Sequence, residues 1–266
     1  MTLTDKISHA AERKAFETLL DNLIKNGQTH DASQVASDLV AMVQRLHGDV
    51  WSEKSFQTLR MIANDPNGKW AHYTQRLLRD NDPYILKTFL TNAVYEGGIR
   101  GYHVAQETAA KYDINVPWLI LMDPTSACNM HCTGCWAAEY GHKQSLTFEE
   151  MDKTLTEAKA LGTHACLFTG GEPLMRKKDI IRLCEKHRDI AFHAFTNGTL
   201  IDDEWAAFFA RHRYLLGVSL DGPAEIQNAL RVDASGKGSF SRVQAGIACL
   251  KRHGVDYNIL SVVSAD

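Results

Sequence analysis

The 266-residue chain has no apolar run approaching the roughly 20 residues needed to span a bilayer, which argues against a membrane partner. Little net charge is left once 29 Lys+Arg are set against 32 Asp+Glu, a formal −3. So even a balance gives no electrostatic reason to expect nucleic acid as a partner. The first residues, Met1-Thr2-Leu3-Thr4-Asp5-Lys6, lack the apolar core of a secretory signal. Internal repeats and low-complexity segments are absent. Six cysteines, three of them clustered, do not resemble the framework of a secreted disulfide scaffold in so long a chain. A reducing, cytoplasmic compartment is the expectation. What is present is ordinary globular material, 44% hydrophobic and 23% charged, enough for one large domain or two modest ones.

Two grammars divide the chain. Residues 1–112 read as an all-α N-terminal domain. Ile7, Ala10, Ala11, Leu19, Leu20, Leu23 and Ile24 recur at helical spacing, with Asn26-Gly27 as a stop. A second helix starts near Asp31, carries Val35, Leu39, Val40 and Val43, and ends at Gly48. Further helices are expected over Glu53–Ala63, Gly68–Arg79 and Pro83–Tyr95, with Asp65-Pro66 and Asp82-Pro83 at the junctions. Gly97-Gly98 breaks the pattern before one more short helix. Nothing here groups catalytic residue types, so this part reads as a packing or docking domain.

From residue 117 to 266 strands alternate with helices, which predicts a parallel α/β sheet with crossover helices. The expected strands are Trp118–Met122, Ala165–Thr169, Ala191–Thr196, Leu215–Leu220 and Tyr257–Ser264. Helices are expected over Phe148–Leu161, Lys178–His187, Asp202–His212 and Phe240–His253. Ligands collect at the carboxyl ends of strands in such folds. Every unusual loop falls there: the cysteines after the first strand, Gly170-Gly171-Glu172-Pro173, Asn197-Gly198 and Asp221-Gly222-Pro223.

The cysteine loop reads Cys128-Asn129-Met130-His131-Cys132-Thr133-Gly134-Cys135. Buried structural cysteines fit it poorly, because Asn129, His131 and Thr133 call for exposure. A structural zinc would need a fourth ligand, with His131 or His142 nearest. A four-iron cluster held by three thiolates would leave one iron open for chemistry. The pair Gly170-Gly171 removes side chains where a ligand could meet backbone polar groups. Cys166, Cys184 and Cys249 read as buried free thiols, and the histidines are scattered without ligand spacing.

Taken together, Cys128, Cys132, Cys135 and Phe168-Thr169-Gly170-Gly171-Glu172-Pro173-Leu174 resemble the radical S-adenosylmethionine (SAM) enzymes. Gly217-Val218-Ser219-Leu220-Asp221-Gly222-Pro223 with Arg231 is similar to the anaerobic sulfatase-maturating and peptide-modifying branch. The resemblance implies a partial parallel (β/α) barrel, of which about five strands are present here. It implies a [4Fe–4S] cluster on Cys128, Cys132 and Cys135, with SAM at the open iron. It implies cofactor contacts from Gly170, Gly171, Glu172, Ser219 and Arg231, with Thr196-Asn197 lining the pocket. The implied activity is an oxidoreductase-type radical enzyme that cleaves SAM reductively and abstracts hydrogen, with a peptide or protein as substrate. A low-potential electron donor of flavodoxin or ferredoxin type is the implied partner. No catalytic residue is assigned. The alternative is a non-catalytic iron–sulfur or zinc binding or interaction protein.

Some positions depart from the family pattern. Gly134 stands where an aromatic residue usually precedes the third cysteine, Trp136 follows it, and the adenine-stacking tyrosine falls on Ala137. Thr169 replaces a glutamine. The resemblance covers residues 117–266, whereas the family core usually has six strands. A fragment, a truncated product or a chain needing a partner surface is therefore expected, with the apolar last strand an aggregation hazard unless covered.

Overall fold

A computed structural model describes residues 3–47, 52–65, 67–137, 141, 143–212 and 214–263. Gly48, Pro66, His142 and Ser264, used in the expectations above, lie outside the described residues. The chain divides into two compact units, Met1–Ile99 and Arg100–Asp266.

The first unit is helical: α1 Leu3–Thr29, α2 Ala32–His47, α3 Glu53–Ala63, α4 Lys69–Asp80 and α5 Pro83–Leu90. Caps mark several starts. Ser52 accepts from Ser55 N, and Asp82 accepts from Tyr84 N and Ile85 N just ahead of Pro83 at the first helical position. The buried stripe of α1 is Phe16, Leu20, Leu23 and Ile24, while Ile7 is exposed. Gly27 does not stop α1. A Cβ there would lie 2.7 Å from Leu78 Cβ, so the glycine lets α1 and α4 pack closely. Nor does Gly97-Gly98 break the chain. Helical backbone continues through a π-helical stretch, Thr91–Gly101, into α6, Tyr102–Tyr112.

The second unit is built on five parallel strands in the order β1-β2-β3-β4-β5: Ile120–Met122, Ala165–Phe168, Ala191–Thr196, Leu215–Ser219 and Tyr257–Leu260. Between them run α7 Phe148–Ala160, α8 Lys177–Lys186, α9 Asp203–His212, α10 Ala224–Leu230 and α11 Phe240–Arg252. This is the partial parallel barrel expected from the sequence. The short α10 and a 3₁₀ turn at Pro173–Arg176 are additions. A capping box starts α7: Thr147 accepts from Glu150 N while Glu150 accepts from the Thr147 backbone.

Register sorts the strand side chains. Met122, Phe168, Ala194 and Leu216 align on one face, packed with Met151, Leu155, Ile180, Leu183, Trp205 and Phe209 from the helices. Leu121, Leu167 and His193 align on the other, where Leu121 is 61% exposed. The core therefore lies between sheet and helices, and the strand ends rise from a rigid base.

Candidate active site

The loop after β1 is zipped onto the loop after β2. Gly171 N donates to Thr125 O and Glu172 N to Ala127 O, each at 2.9 Å. A Cβ on Gly171 would sit 2.1 Å from Ala127 O, and one on Gly170 would sit 2.7 Å from Thr125 O. Gly170 also has φ +101°, a left-handed conformation that side chains disfavour. Here, then, the glycine pair admits the backbone of the cysteine loop.

Other ties hold that loop. Thr133 N donates to Leu230 O at 2.9 Å, and His131 N donates to Val232 O, anchoring it to the end of α10. Asn197, after β3, donates to Asn129 Oδ1 at 2.8 Å, with its Nδ2 3.9 Å from Cys128 Sγ. Asn129 in turn donates to Thr199 Oγ1. Gly134 has φ +70°, so the sharp turn into Cys135 explains the missing aromatic by backbone conformation, since open space surrounds it.

Glu172 is a buried strut. Its carboxylate accepts from Leu174 N at 2.9 Å and from Thr196 Oγ1 and Asn197 N, both at 2.8 Å. Burial pushes its carboxyl up to about 7, against the pull of these donors. Arg231 meets Asp221 through two hydrogen bonds, Nε to Oδ2 at 2.6 Å and Nη2 to Oδ1 at 3.0 Å. Burial opposes the Asp221 charge, but Arg231 and the donating Val262 N outweigh it and hold the carboxyl low. Burial raises the Cys128 thiol to about 11. It raises Cys132 too, against the pull of Arg231.

A cavity of about 410 Å³ opens at this end of the sheet. Cys128, Cys132, Cys135, Gly170, Gly171, Glu172, Ser219 and Arg231 all line it, together with Thr196 and Asn197. Trp136 lines it as well, half exposed, whereas Ala137 is buried. Beside it a second cavity of about 340 Å³ shares Trp136, Gly170 and Gly171 and adds Asp123. Asp123 was not singled out from the sequence. Its Oδ1 is buried without a hydrogen-bond partner, and burial raises its carboxyl. A lone acid after a strand carries no spacing signal, so only the fold could expose it.

The donor set discriminates between metals. Among the described residues, the ligand-type side chains with donor atoms mutually within 4.8 Å lie elsewhere, at Asp203, Cys249 and His253. Cys128, Cys132 and Cys135 do not form such a group, so at least one pair of their sulfurs stands more than 4.8 Å apart, beyond the ~3.8 Å edge of a tetrahedral ion with sulfur bonds of about 2.3 Å. Such spacing suits thiolates on separate irons of a cluster. His131 faces solvent, and His142 lies outside the described residues.

Residues 122–264, just over half the chain, match the sequence profile of the Radical SAM superfamily. Over 165 residues the chain is 33% identical to a cysteine-type anaerobic sulfatase-maturating enzyme of Clostridium perfringens, covering 56% of this chain and 44% of the relative. A serine-type anaerobic sulfatase-maturating enzyme of Bacteroides thetaiotaomicron is 36% identical over 165 residues, covering 56% of this chain and 40% of the relative. The chain thus spans less than half the length of these curated relatives. Among solved structures, native anSMEcpe with bound AdoMet and Kp18Cys peptide aligns with TM-score 0.50 at 33% identity, over 55% of this chain and 43% of that one. Streptococcus suis SuiB bound to S-adenosylmethionine aligns with TM-score 0.52 at 17% identity, over 72% of this chain and 49% of that one, a likeness of fold. No helix among the described residues is long and apolar enough to cross a membrane. By its matched core, this chain belongs to the radical SAM superfamily, whose cofactors are a [4Fe–4S] cluster and SAM.

Proposed function

We propose that the chain is the radical-generating part of a radical SAM enzyme acting on a peptide or protein. The observation that carries this reading is the convergence of three thiols, a glycine pair, Ser219 and Arg231 on one cavity at the strand ends. Cys128, Cys132 and Cys135 would hold the cluster, with SAM bound beside it in the same cavity. When bound, the cluster and SAM would supply one-electron reductive chemistry able to start hydrogen abstraction from a carbon of the substrate.

The protein's own residues bind and orient. The buried Glu172 strut and the Asn129–Asn197 bridge fix the cysteine loop against β2 and β3. Ser219, at the end of β4, offers a hydroxyl toward the SAM carboxylate or ribose. Asp221 holds Arg231 beside Cys132, where a guanidinium balances the negative charge of a cluster on thiolates. The helical unit, Met1–Ile99, serves as a docking or packing domain. A flavodoxin- or ferredoxin-type donor supplies the electron. The peptide class is supported by the 33% identical neighbour solved with the Kp18Cys peptide.

Anaerobic reconstitution with iron and sulfide, followed by assay for 5′-deoxyadenosine from SAM under a strong reductant, tests the reading. Product at a rate dependent on all three cysteines is expected. A fully loaded cluster that yields none would reduce the chain to an iron–sulfur binding module.

A further inference from the structure

Away from the cysteine loop, three side chains of metal-ligand type meet where α9 begins and α11 ends. Cys249 and His253 are one helical turn apart and so share a face. Asp203 Oδ1 accepts from Cys249 Sγ at 3.3 Å, from His253 Nε2 at 2.9 Å and from Arg252 Nη2 at 3.0 Å. The donor atoms of Asp203, Cys249 and His253 lie within 4.8 Å of one another. Cys249 is buried, while Asp203 is exposed and His253 half-buried. Read from the sequence, Cys249 was a bland core thiol, because its carboxylate partner is 46 residues away on another helix.

We propose that Asp203, Cys249 and His253 form a site for one borderline divalent transition metal ion of the zinc type, with water in the fourth position. Sulfur, nitrogen and oxygen donors in one cluster are the set such an ion takes. With metal–ligand bonds of about 2.0–2.3 Å, tetrahedral edges run about 3.3–3.8 Å. The two contacts to Asp203 Oδ1, 3.3 and 2.9 Å, need only a few tenths of an ångström of spreading, and the Cys249–His253 pair lies within 4.8 Å. On binding, the Cys249 thiol loses its proton to solvent, and His253 gives up the Nε2 proton it shares with Asp203, takes the Nδ1–H tautomer and coordinates through Nε2. Arg252 remains as the hydrogen-bond donor that orients the ligating carboxylate, a role such outer partners commonly take. The ion would pin the start of α9 to the end of α11.

The test titrates the anaerobic, cluster-loaded chain with Co²⁺ as the probe and Zn²⁺ as competitor. The same titration on the C128A/C132A/C135A chain keeps the answer independent of the cysteine loop. One equivalent of Co²⁺ is expected to bind with a thiolate-to-cobalt charge-transfer band, and Zn²⁺ should displace it. Cys249→Ser should abolish the band, and His253→Ala should weaken Co²⁺ binding at least about tenfold. No such band in the parent chain, or a band that C249S leaves intact, overturns the proposal. Because Cys249 is buried and its replacement puts folding at risk, Asp203→Asn and H253A provide a second check at solvent-accessible positions. Undiminished Co²⁺ affinity in both also refutes the site.

Discussion

Arg231 reaches the candidate active site with one edge already engaged: its Nε and Nη2 meet the two carboxylate oxygens of Asp221 at 2.6 and 3.0 Å. From the sequence, Arg231 is expected to contact the cofactor. In the fold its guanidinium is closed on a neighbour, and the cation is held beside Cys132. The pair is largely buried, with side-chain exposures of 18% for Arg231 and 4% for Asp221.

Breaking this pair from one side should cost more than removing both halves. Arg231→Ala leaves a buried, unpaired carboxylate and is expected to destabilise the chain by about 3 kcal/mol. The double variant R231A/D221N should recover part of that loss, read from urea unfolding midpoints in a double-mutant cycle. Simple additivity of the two changes would remove the argument for coupling.

Gly171→Ala places a methyl group 2.1 Å from Ala127 O, a backbone atom that cannot rotate aside. Overpacking of this kind costs about 1–3 kcal/mol, and here it also displaces the cysteine loop. Both a lower unfolding midpoint and reduced iron uptake are expected. An alanine variant with parental stability and full iron would show that the two loops need not dock this closely.

Each single replacement of Cys128, Cys132 or Cys135 by alanine should lower bound iron and acid-labile sulfide well below the [4Fe–4S] stoichiometry. It should bring 5′-deoxyadenosine formation to background. Iron analysis together with the electron paramagnetic resonance of the reduced protein makes the measurement. A variant retaining a SAM-responsive cluster would exclude that cysteine from the ligand set.

Glu172 gives a pH signature. Its folded pKa is raised to about 7, above the ordinary 4.5. The stability it contributes is therefore fully present below about 4.5 and is lost as pH rises through about 7. Unfolding free energy of the parent chain should decline across that window, and Glu172→Gln should flatten this part of the profile. An unchanged slope in E172Q would assign the pH dependence to another group.

In the helical unit two opposing effects meet at Gly27. Replacing a mid-helix glycine by alanine gains about 1 kcal/mol of propensity. The new methyl would lie 2.7 Å from Leu78 Cβ, which moves only with the α4 backbone. The clash should win, so Gly27→Ala is expected to lower the melting temperature, and a rise in calorimetry would reverse that ranking.

Much of the architecture was legible before any coordinates. Apolar runs alternating with stretches of helical spacing located the five strands and most helices to within a few residues. Two glycine readings went astray for one reason. Gly27 and Gly97-Gly98 look like helix punctuation, yet one permits helix–helix contact and the other sits in a π-helical stretch. The last strand is shorter than expected, ending at Leu260, because Ser261 Oγ and Val262 N turn to the β4 loop at Leu220 O and Asp221 Oδ1.

The sequence by itself determined the chemistry on offer: three close-spaced thiols after a strand, a glycine pair after the next, and a parallel frame that sends both to one end. Local spacing encodes such features, since adjacent residues share a loop in any fold. Only the tertiary structure decided which groups are partners. Arg231 with Asp221, Glu172 with Asn197, and Cys249 with Asp203 join residues 10, 25 and 46 positions apart. Those pairings depend on how strands and helices stack, and burial then sets which charges must be matched. No pattern along the chain records that.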